Sequence, residues 1–323
     1  MTLLRRTLTL LFASLAALCT TASAQTQTWP TKPIRIVSAF PPGTPGDLIA
    51  RLIQPQLQQA FGVAVIVDNK PGASGNIGAQ EVARATDGHT FLVGPDTMLT
   101  INPHVYKKLT FKPAEDLVPI TYLVRSYQML VCHPSTGFKT LADFTAKARQ
   151  APFNYASGGP GVPGHMAMEM LLSATGTPLT HVPYRGPAPA AQDVLAGVVP
   201  CGFLASSVVA PHVKDGKLVA LAVSGSRRST SIPSVPTVAE SGVTGFDASF
   251  FELLAAPKGT PEAVLDRIQQ EVGTALANAD VRAKLAGADL EVVASKPSEA
   301  ARQMSADFDK WRTVNDKVKL QLD

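Results

Sequence analysis

Phe40-Pro41-Pro42-Gly43-Thr44-Pro45-Gly46-Asp47 joins a strand-like run, Ile34–Phe40, to a helix-like run, Asp47–Ala60. A Gly- and Pro-rich turn from strand to helix leaves backbone N–H groups without intrahelical acceptors, and such groups attract anions. Within it Thr44 suits the N-cap, Pro45 the first helical position, and Asp47 the third, completing a capping box. Asp47 therefore reads either as a cap or as a residue that also fixes the loop for a ligand. Pro55 is a candidate kink in the helix beyond it, and Gly62 closes that helix as the residue after the C-cap. A second turn of this kind is Ser157-Gly158-Gly159-Pro160-Gly161. A third, Lys70-Pro71-Gly72-Ala73-Ser74-Gly75-Asn76, faces the same side as the first if the strands are parallel.

Outward from these turns the chain alternates. Strand-like runs are 34–40, 63–68, 90–93, 120–133, 153–156, 179–183, 201–204, 218–223 and 250–256. Helix-like runs fall between them at 47–60, 76–85, 141–150, 165–175, 188–196 and 207–214, and the C-terminal part is helical at 261–277, 279–285 and 297–317. Alternation of this kind predicts α/β architecture with mainly parallel sheets and crossover helices. The runs 120–133 and 248–256 are candidates for strands that cross between two domains. The expected organisation is 25–124 plus 248–323 as lobe 1 and 125–247 as an inserted lobe 2. A ligand cleft then lies between them, at the C-terminal strand ends.

Residues 1–24 read as a signal peptide, with Arg5 and Arg6 as a positive start, an apolar run Leu8–Leu18, and Ala22-Ser23-Ala24 as the cleavage site. Leu18 before Cys19 is not the small residue a lipoprotein signal takes. The remaining 323 − 24 = 299 residues are more than one core holds comfortably. The formal charge of +4 falls to +2 without Arg5 and Arg6, which argues against nucleic acid as a partner. Cys132 and Cys201 can pair in an exported protein, or remain two buried thiols in apolar strands. Metal-ligand spacings and calcium-loop motifs are absent from the sequence.

The motifs resemble the Bug, or TctC-like, family of periplasmic receptors of tripartite tricarboxylate transport systems. The resemblance runs from Trp29 to about Trp311. It is carried by Trp29-Pro30-Thr31-Lys32-Pro33-Ile34-Arg35, the 40–47 loop with Ala50-Arg51, and Val67-Asp68-Asn69-Lys70-Pro71-Gly72-Ala73-Ser74-Gly75-Asn76-Ile77-Gly78. Further matches are Asp87-Gly88-His89-Thr90, Asn102-Pro103-His104-Val105-Tyr106, Tyr155-Ala156-Ser157, His181-Val182-Pro183-Tyr184-Arg185-Gly186, Pro233-Ser234-Val235-Pro236-Thr237 and Ala256-Pro257-Lys258-Gly259-Thr260-Pro261. It implies a two-lobed, Venus-flytrap periplasmic binding protein; charge and composition point to a monomer, and the absent ligand spacings to a protein without cofactor or metal. The implied role is to close on a small carboxylate and deliver it to membrane subunits of the transporter.

On that resemblance Phe40 packs on the ligand skeleton, Gly43 and Thr44 offer N–H groups, and Ser74 and Asn76 contribute from the third turn. Ser157, Gly159 and Gly161 hold the carboxylate from the other lobe. His165 reads as a cap or a contact, and Arg185 as a contact or a loop brace. The chain departs from the family where Val162 replaces a frequent serine, Leu204 replaces an acid, Thr44 replaces a glycine, and Pro95-Asp96-Thr97 replaces small hydroxyl residues. Asp96 then discourages a second carboxylate or accepts a ligand hydroxyl or amide. Together these predict an apolar or aromatic monocarboxylate. The competing readings are a ligand-sensing partner of a periplasmic sensor and a hydrolase built on Ser157 with His165 or Ser74 with His181. The hydrolase reading lacks a Gly-x-Ser-x-Gly elbow.

Overall fold

The apolar runs of the sequence become two separate sheets in a computed structural model that describes residues 29–323. The signal-peptide segment lies outside the described residues. The body of the chain is Lys32–Asp323, and Trp29–Thr31 belong to a separate unit.

In the first sheet, β1 (Ile34–Ser38) leads through α1 (Pro45–Phe61) to β2 (Val65–Asn69), and α2 (Asn76–Ala83) leads to β3 (Thr90–Pro95). β1 pairs in parallel with both β2 and β3. Three short helical turns, α3 (Thr97–Thr100), α4 (Asn102–Val105) and α5 (Pro113–Asp116), precede β4 (Leu117–Ser126). Residue Tyr127 then separates β4 from β5 (Gln128–Cys132), which belongs to the second sheet.

The second sheet continues through α6 (Leu141–Gln150), β6 (Asn154–Ser157), α7 (Pro163–Thr175), β7 (Thr180–Pro183), α8 (Pro187–Leu195), β8 (Cys201–Ala205), α9 (Ser206–Lys214) and β9 (Val219–Val223). The chain returns to the first sheet at β10 (Phe250–Pro257) and ends with α10 (Glu262–Ala277), α11 (Ala279–Gly287), β11 (Leu290–Val292) and α12 (Pro297–Val318). Strand orders are β11-β4-β10-β3-β1-β2 and β7-β6-β8-β5-β9.

Both sheets are mixed, not mainly parallel. β10 runs antiparallel to β3 and β4, and β5 runs antiparallel to β8 and β9. The reason is topological. Strands of the βαβ units run toward the edge where the two sheets meet. β5 and β10 each start at that edge, just after the chain has passed from the other sheet, and run away from it. The two passages lie side by side: Phe250 pairs with Ser126, Ser224 N donates to Gln128 O, and Ala248 N donates to Ser224 O.

Cys132 and Cys201 face each other across β5 and β8, with Cα atoms 4.0 Å apart, and form a disulfide. Of the two readings the sequence allowed, burial alone favoured neither; the antiparallel pairing decides it. Around the bridge, Leu130, Phe144, Tyr155 and Phe203 form a core that continues into Phe250 and Trp311, whose rings stack 5.2 Å apart. At the C-terminal end Leu322 bridges to Tyr106 and its methyl lies beside Gly161. Among the described residues, no helix is long and apolar enough to cross a membrane, and no His, Cys, Asp and Glu cluster is arranged to hold a metal ion.

Candidate functional site

Two helices begin at the edge where the sheets meet, and they begin alike. Gly43-Thr44-Pro45-Gly46-Asp47 starts α1, and Gly161-Val162-Pro163-Gly164-His165 starts α7. Each first glycine has positive φ, +82° and +72°. Each N-cap is extended, Thr44 at φ −74°, ψ 160° and Val162 at φ −75°, ψ 166°. Each proline fills the first helical position, where a missing N–H costs nothing. Intrahelical bonding starts only with Leu48 N to Thr44 O and Met166 N to Val162 O. The N–H groups of Gly46 and Gly164 precede those bonds and have no intrahelical acceptor.

The second glycine of each start permits close packing. A Cβ on Gly46 would lie 3.0 Å from Glu252 Oε2 and 3.1 Å from Gly94 Cα; on Gly164 it would lie 2.0 Å from Phe203 O. Between them is a cavity of about 50 Å3, room for a few waters at roughly 10–15 Å3 each. Both Thr44-Pro45-Gly46 and Val162-Pro163-Gly164 line it. Phe40, Pro95, Phe203, Leu204 and Ala205 give it a largely apolar wall, and Ser38, Gln128 and Glu252 bring polar side chains.

The fifth residue of each start accepts a hydrogen bond from the first. Gly43 N donates to Asp47 Oδ2, and Gly161 N donates to His165 Nδ1, both at 2.9 Å. The expected capping box at Thr44 is therefore not made. Thr44 Oγ1 donates to Pro41 O at 2.9 Å, and the left-handed turn at Gly43 brings its N–H, not that of Thr44, to Asp47. Burial opposes charge on Asp47. Hydrogen bonds from Arg51, the Gly43 N–H and Asn69 outweigh it and hold the carboxyl below its ordinary pKa.

Behind the second start, the rings of His165 and His181 stack with centroids 3.9 Å apart, and Tyr155 donates to Glu169 at 2.7 Å. Burial, with His165 adding to it, pushes His181 down to about 3, so it is neutral at physiological pH. Ser157 Oγ lies 2.6 Å from His181 Nε2. This is not a pairing the sequence suggested, and Ser157 is fully buried with its hydroxyl also donating to Gly159 O.

Of the residues singled out from sequence, Phe40, Thr44 and Leu204 line the cavity. Gly43, Asp47, Gly161 and His165 are committed to one another in the two helix starts. Gly159 N donates to Ser157 Oγ. Ser74, at φ 52°, takes part in neither helix start: its hydroxyl donates to Pro160 O and accepts from Tyr106 OH. Asn76 Oδ1 accepts from Asn102 Nδ2 at 2.7 Å. Asp96 is fully buried behind the wall, accepting from Phe251 N, and does not line the cavity. Arg185 is exposed and lies outside the lining.

Sequence reading missed Gln128, Glu252, Gly46 and Gly164. The signals were present: one acid inside the apolar run 250–257, one amide inside 120–133, and the Gly-x-Pro-Gly spacing shared by both helix starts.

Comparison with known proteins places this geometry. Residues 49–320 match the family model described as tripartite tricarboxylate transporter family receptor. Protein BugT of Bordetella pertussis is 32% identical over 308 residues, covering 94% of each chain. A UPF0065 protein from the tcbD-tcbE intergenic region of Pseudomonas sp. strain P51 is 32% identical over 94% of this chain and 92% of its own. Among solved structures, R. palustris Rpa4515 with adipate is 30% identical, with TM-score 0.86 over 91% of this chain and 99% of that one. MatC of Rhodopseudomonas palustris with bound malate is 28% identical, with TM-score 0.83 over 88% and 99%.

Proposed function

This chain belongs to the tripartite tricarboxylate transporter receptor family, and on that premise we propose that it captures a small monocarboxylate with an apolar body in the periplasm. Its fold is the two-lobed α/β fold of periplasmic binding proteins, and the family consists of solute receptors, not enzymes. The observation that carries the reading is the convergence of two Gly-x-Pro-Gly helix starts on one cavity. Helix N-termini and oriented amides stabilise an anion without a cationic side chain, and the cavity lining contains no Lys or Arg. Adipate and malate in the two similar structures are carboxylates as well.

In this reading one lobe is built on the first sheet, 32–126 with 250–323, and the other on the second sheet, from 128 to 223, against the 124/125 and 247/248 bounds expected from sequence, and the carboxylate sits between Gly46 and Gly164. Phe40, Phe203, Leu204 and Val162 receive the carbon skeleton. The paired N–H groups of Gly43, Gly159 and Gly161 shape the loops instead of contacting the solute, and so do Asp47, Ser157 and His165. Ser74 and Asn76 join the third turn to its neighbours, while Asp96 and Arg185 stay outside the pocket. The signal peptide at 1–24 exports the chain. The loaded monomer docks on the membrane subunits of a tripartite transporter.

A thermal-shift screen of the mature protein against mono-, di- and tricarboxylates, amino acids and amides tests this. A solute at about 100 times its dissociation constant adds roughly 2.7 kcal/mol to stability. A shift confined to monocarboxylates with apolar bodies supports the reading. A shift with amino acids or tricarboxylates alone rejects it.

A further inference from the structure

Gln128 is the first residue of β5, one step past Tyr127, where the chain crosses between the sheets. Its backbone is pinned there: its N–H donates to Ser224 Oγ at 3.0 Å, and its carbonyl accepts from Ser224 N at 2.9 Å. The side chain lines the cavity, and the residue is 4% exposed. Its Oε1 lies 3.4 Å from where a Cβ on Gly164 would be, beside the second helix start. Other polar side chains of the lining are committed. The hydroxyls of Ser38 and Thr44 donate to Phe40 O and Pro41 O, and Glu252 Oε2 is sealed against the first helix start. Among the described residues the Gln128 amide has no partner at either end, and neither end is sealed off from the cavity.

We propose that Gln128 is a specificity-determining residue and that the solute carries a hydroxyl on the carbon next to its carboxylate. The inference rests on the carboxylate reading above and names what stands beside that carboxylate. A primary amide offers N–H donors at one end and an acceptor at the other. The two ends are a single carbon apart, so the groups that meet them must be neighbours on the solute. The acceptor available at Gly164 is the carboxylate, which takes an N–H of Gln128. The amide oxygen then requires a donor next to that carboxylate, and a hydroxyl is the neutral one. With hydrogen in its place, the amide oxygen is desolvated and unpaired, which costs affinity. An ether or a keto group sets acceptor against acceptor. An ammonium adds a charge and surplus donors to a largely apolar wall. The hydroxyl-bearing carbon is also stereogenic. Its carboxylate goes to the helix starts, its hydroxyl to Gln128 and its apolar body to Phe40, Phe203 and Leu204, and these three directions admit one enantiomer.

The test is calorimetric titration of the mature protein with acids of one apolar body, isobutyl or benzyl, bearing hydrogen, hydroxyl, methoxy or ammonium next to the carboxylate, the hydroxy acid as separate enantiomers. One enantiomer of the hydroxy acid should bind at least about tenfold tighter than the unsubstituted acid, the methyl ether and its mirror image. Gln128→Met and Gln128→Leu should bring the ratio of hydroxy to unsubstituted acid, and the ratio of enantiomers, toward one. The two variants are run together so that a folding failure in one leaves the comparison intact, and a merely structural role for Gln128 would not move the enantiomer ratio. Equal binding of hydroxy and unsubstituted acid, or ratios unchanged in both variants, overturns the role of Gln128 and leaves the carboxylate reading standing. Tightest binding of the ammonium or methoxy acid also overturns it. Binding of no member of either series overturns both readings together.

Discussion

The two helix starts share a backbone and differ in everything behind it. Gly43-Thr44-Pro45-Gly46 and Gly161-Val162-Pro163-Gly164 have nearly the same dihedrals and the same bond from the first residue to the fifth. In the first, the acceptor is a carboxylate held by Arg51 and Asn69. In the second, it is an imidazole stacked on His181 and Tyr155, with the Glu169 carboxyl 3.6 Å from its Nε2. Only the backbone is common. What the two halves share therefore resides in main-chain geometry, and each half reaches that geometry with its own side-chain chemistry.

Substitutions can separate the two halves experimentally. The largest effect is expected from the second half, which alone carries a disulfide among the described residues. Removing it with Cys132→Ser and Cys201→Ser frees a loop closed by a sequence separation of 69 residues, worth about 4 kcal/mol on a chain-entropy account. Denaturant unfolding with and without reductant reads this, and a loss much smaller than that would mean packing alone holds β5 to β8.

Next come the second glycines. Gly164→Ala drives a Cβ to 2.0 Å from Phe203 O and should cost on the order of 3 kcal/mol. Gly46→Ala meets Glu252 and Gly94 at 3.0 and 3.1 Å and should cost about 1–2 kcal/mol. Equal losses would refute the claim that the second start is packed more tightly.

Acid separates the halves by pH window. His181 is depressed to about 3 in the fold, against about 6.5 unfolded. The unfolded chain binds the extra proton between those values, so the stability it contributes is lost as pH falls below about 6.5. Asp47 is depressed from about 3.9. Its contribution is intact until pH falls below that unfolded value. Stability measured from about pH 7 to about pH 5 should therefore decline in the wild type and in Asp47→Asn, and decline less in His181→Asn. A slope untouched by His181→Asn would contradict the assignment.

Smallest is Val162→Ser, which restores a hydroxyl at the second N-cap. Capping should raise stability by roughly 1 kcal/mol or less, offset by the lost apolar contact of a residue that is buried. Its sharper readout is a few-fold change in the affinity ratio of dicarboxylate to monocarboxylate.

The turns that build the site were legible because Gly and Pro act locally. Both Gly- and Pro-rich helix starts and the end of α1 at Gly62, φ 68°, follow from residue type alone. Helix Leu141–Gln150 matches the expected run 141–150 to the residue, and a capping box between Thr140 and Asp143 closes its start. What escaped depends on non-local partners. The run 120–133 looks like one strand, yet it breaks at Tyr127 because apolar periodicity carries no record of which sheet a residue joins. The antiparallel direction of β5 and β10 is likewise set by where the chain crosses. Glu252 was passed over because one acid in an apolar strand is ordinary until a cavity is placed beside it. The N–H groups of Gly159 and Gly161 looked available for a solute because their acceptors, Ser157 and His165, are fixed by tertiary packing.

Leu322 has a practical consequence. Its N–H donates to Val105 O, its carbonyl accepts from Lys107 N, and its methyl lies beside Gly161 at the second helix start. A dye attached at Asp323 would sit one residue from that contact, which makes this end a natural position for an optical solute sensor. The same closeness argues for mounting purification handles elsewhere.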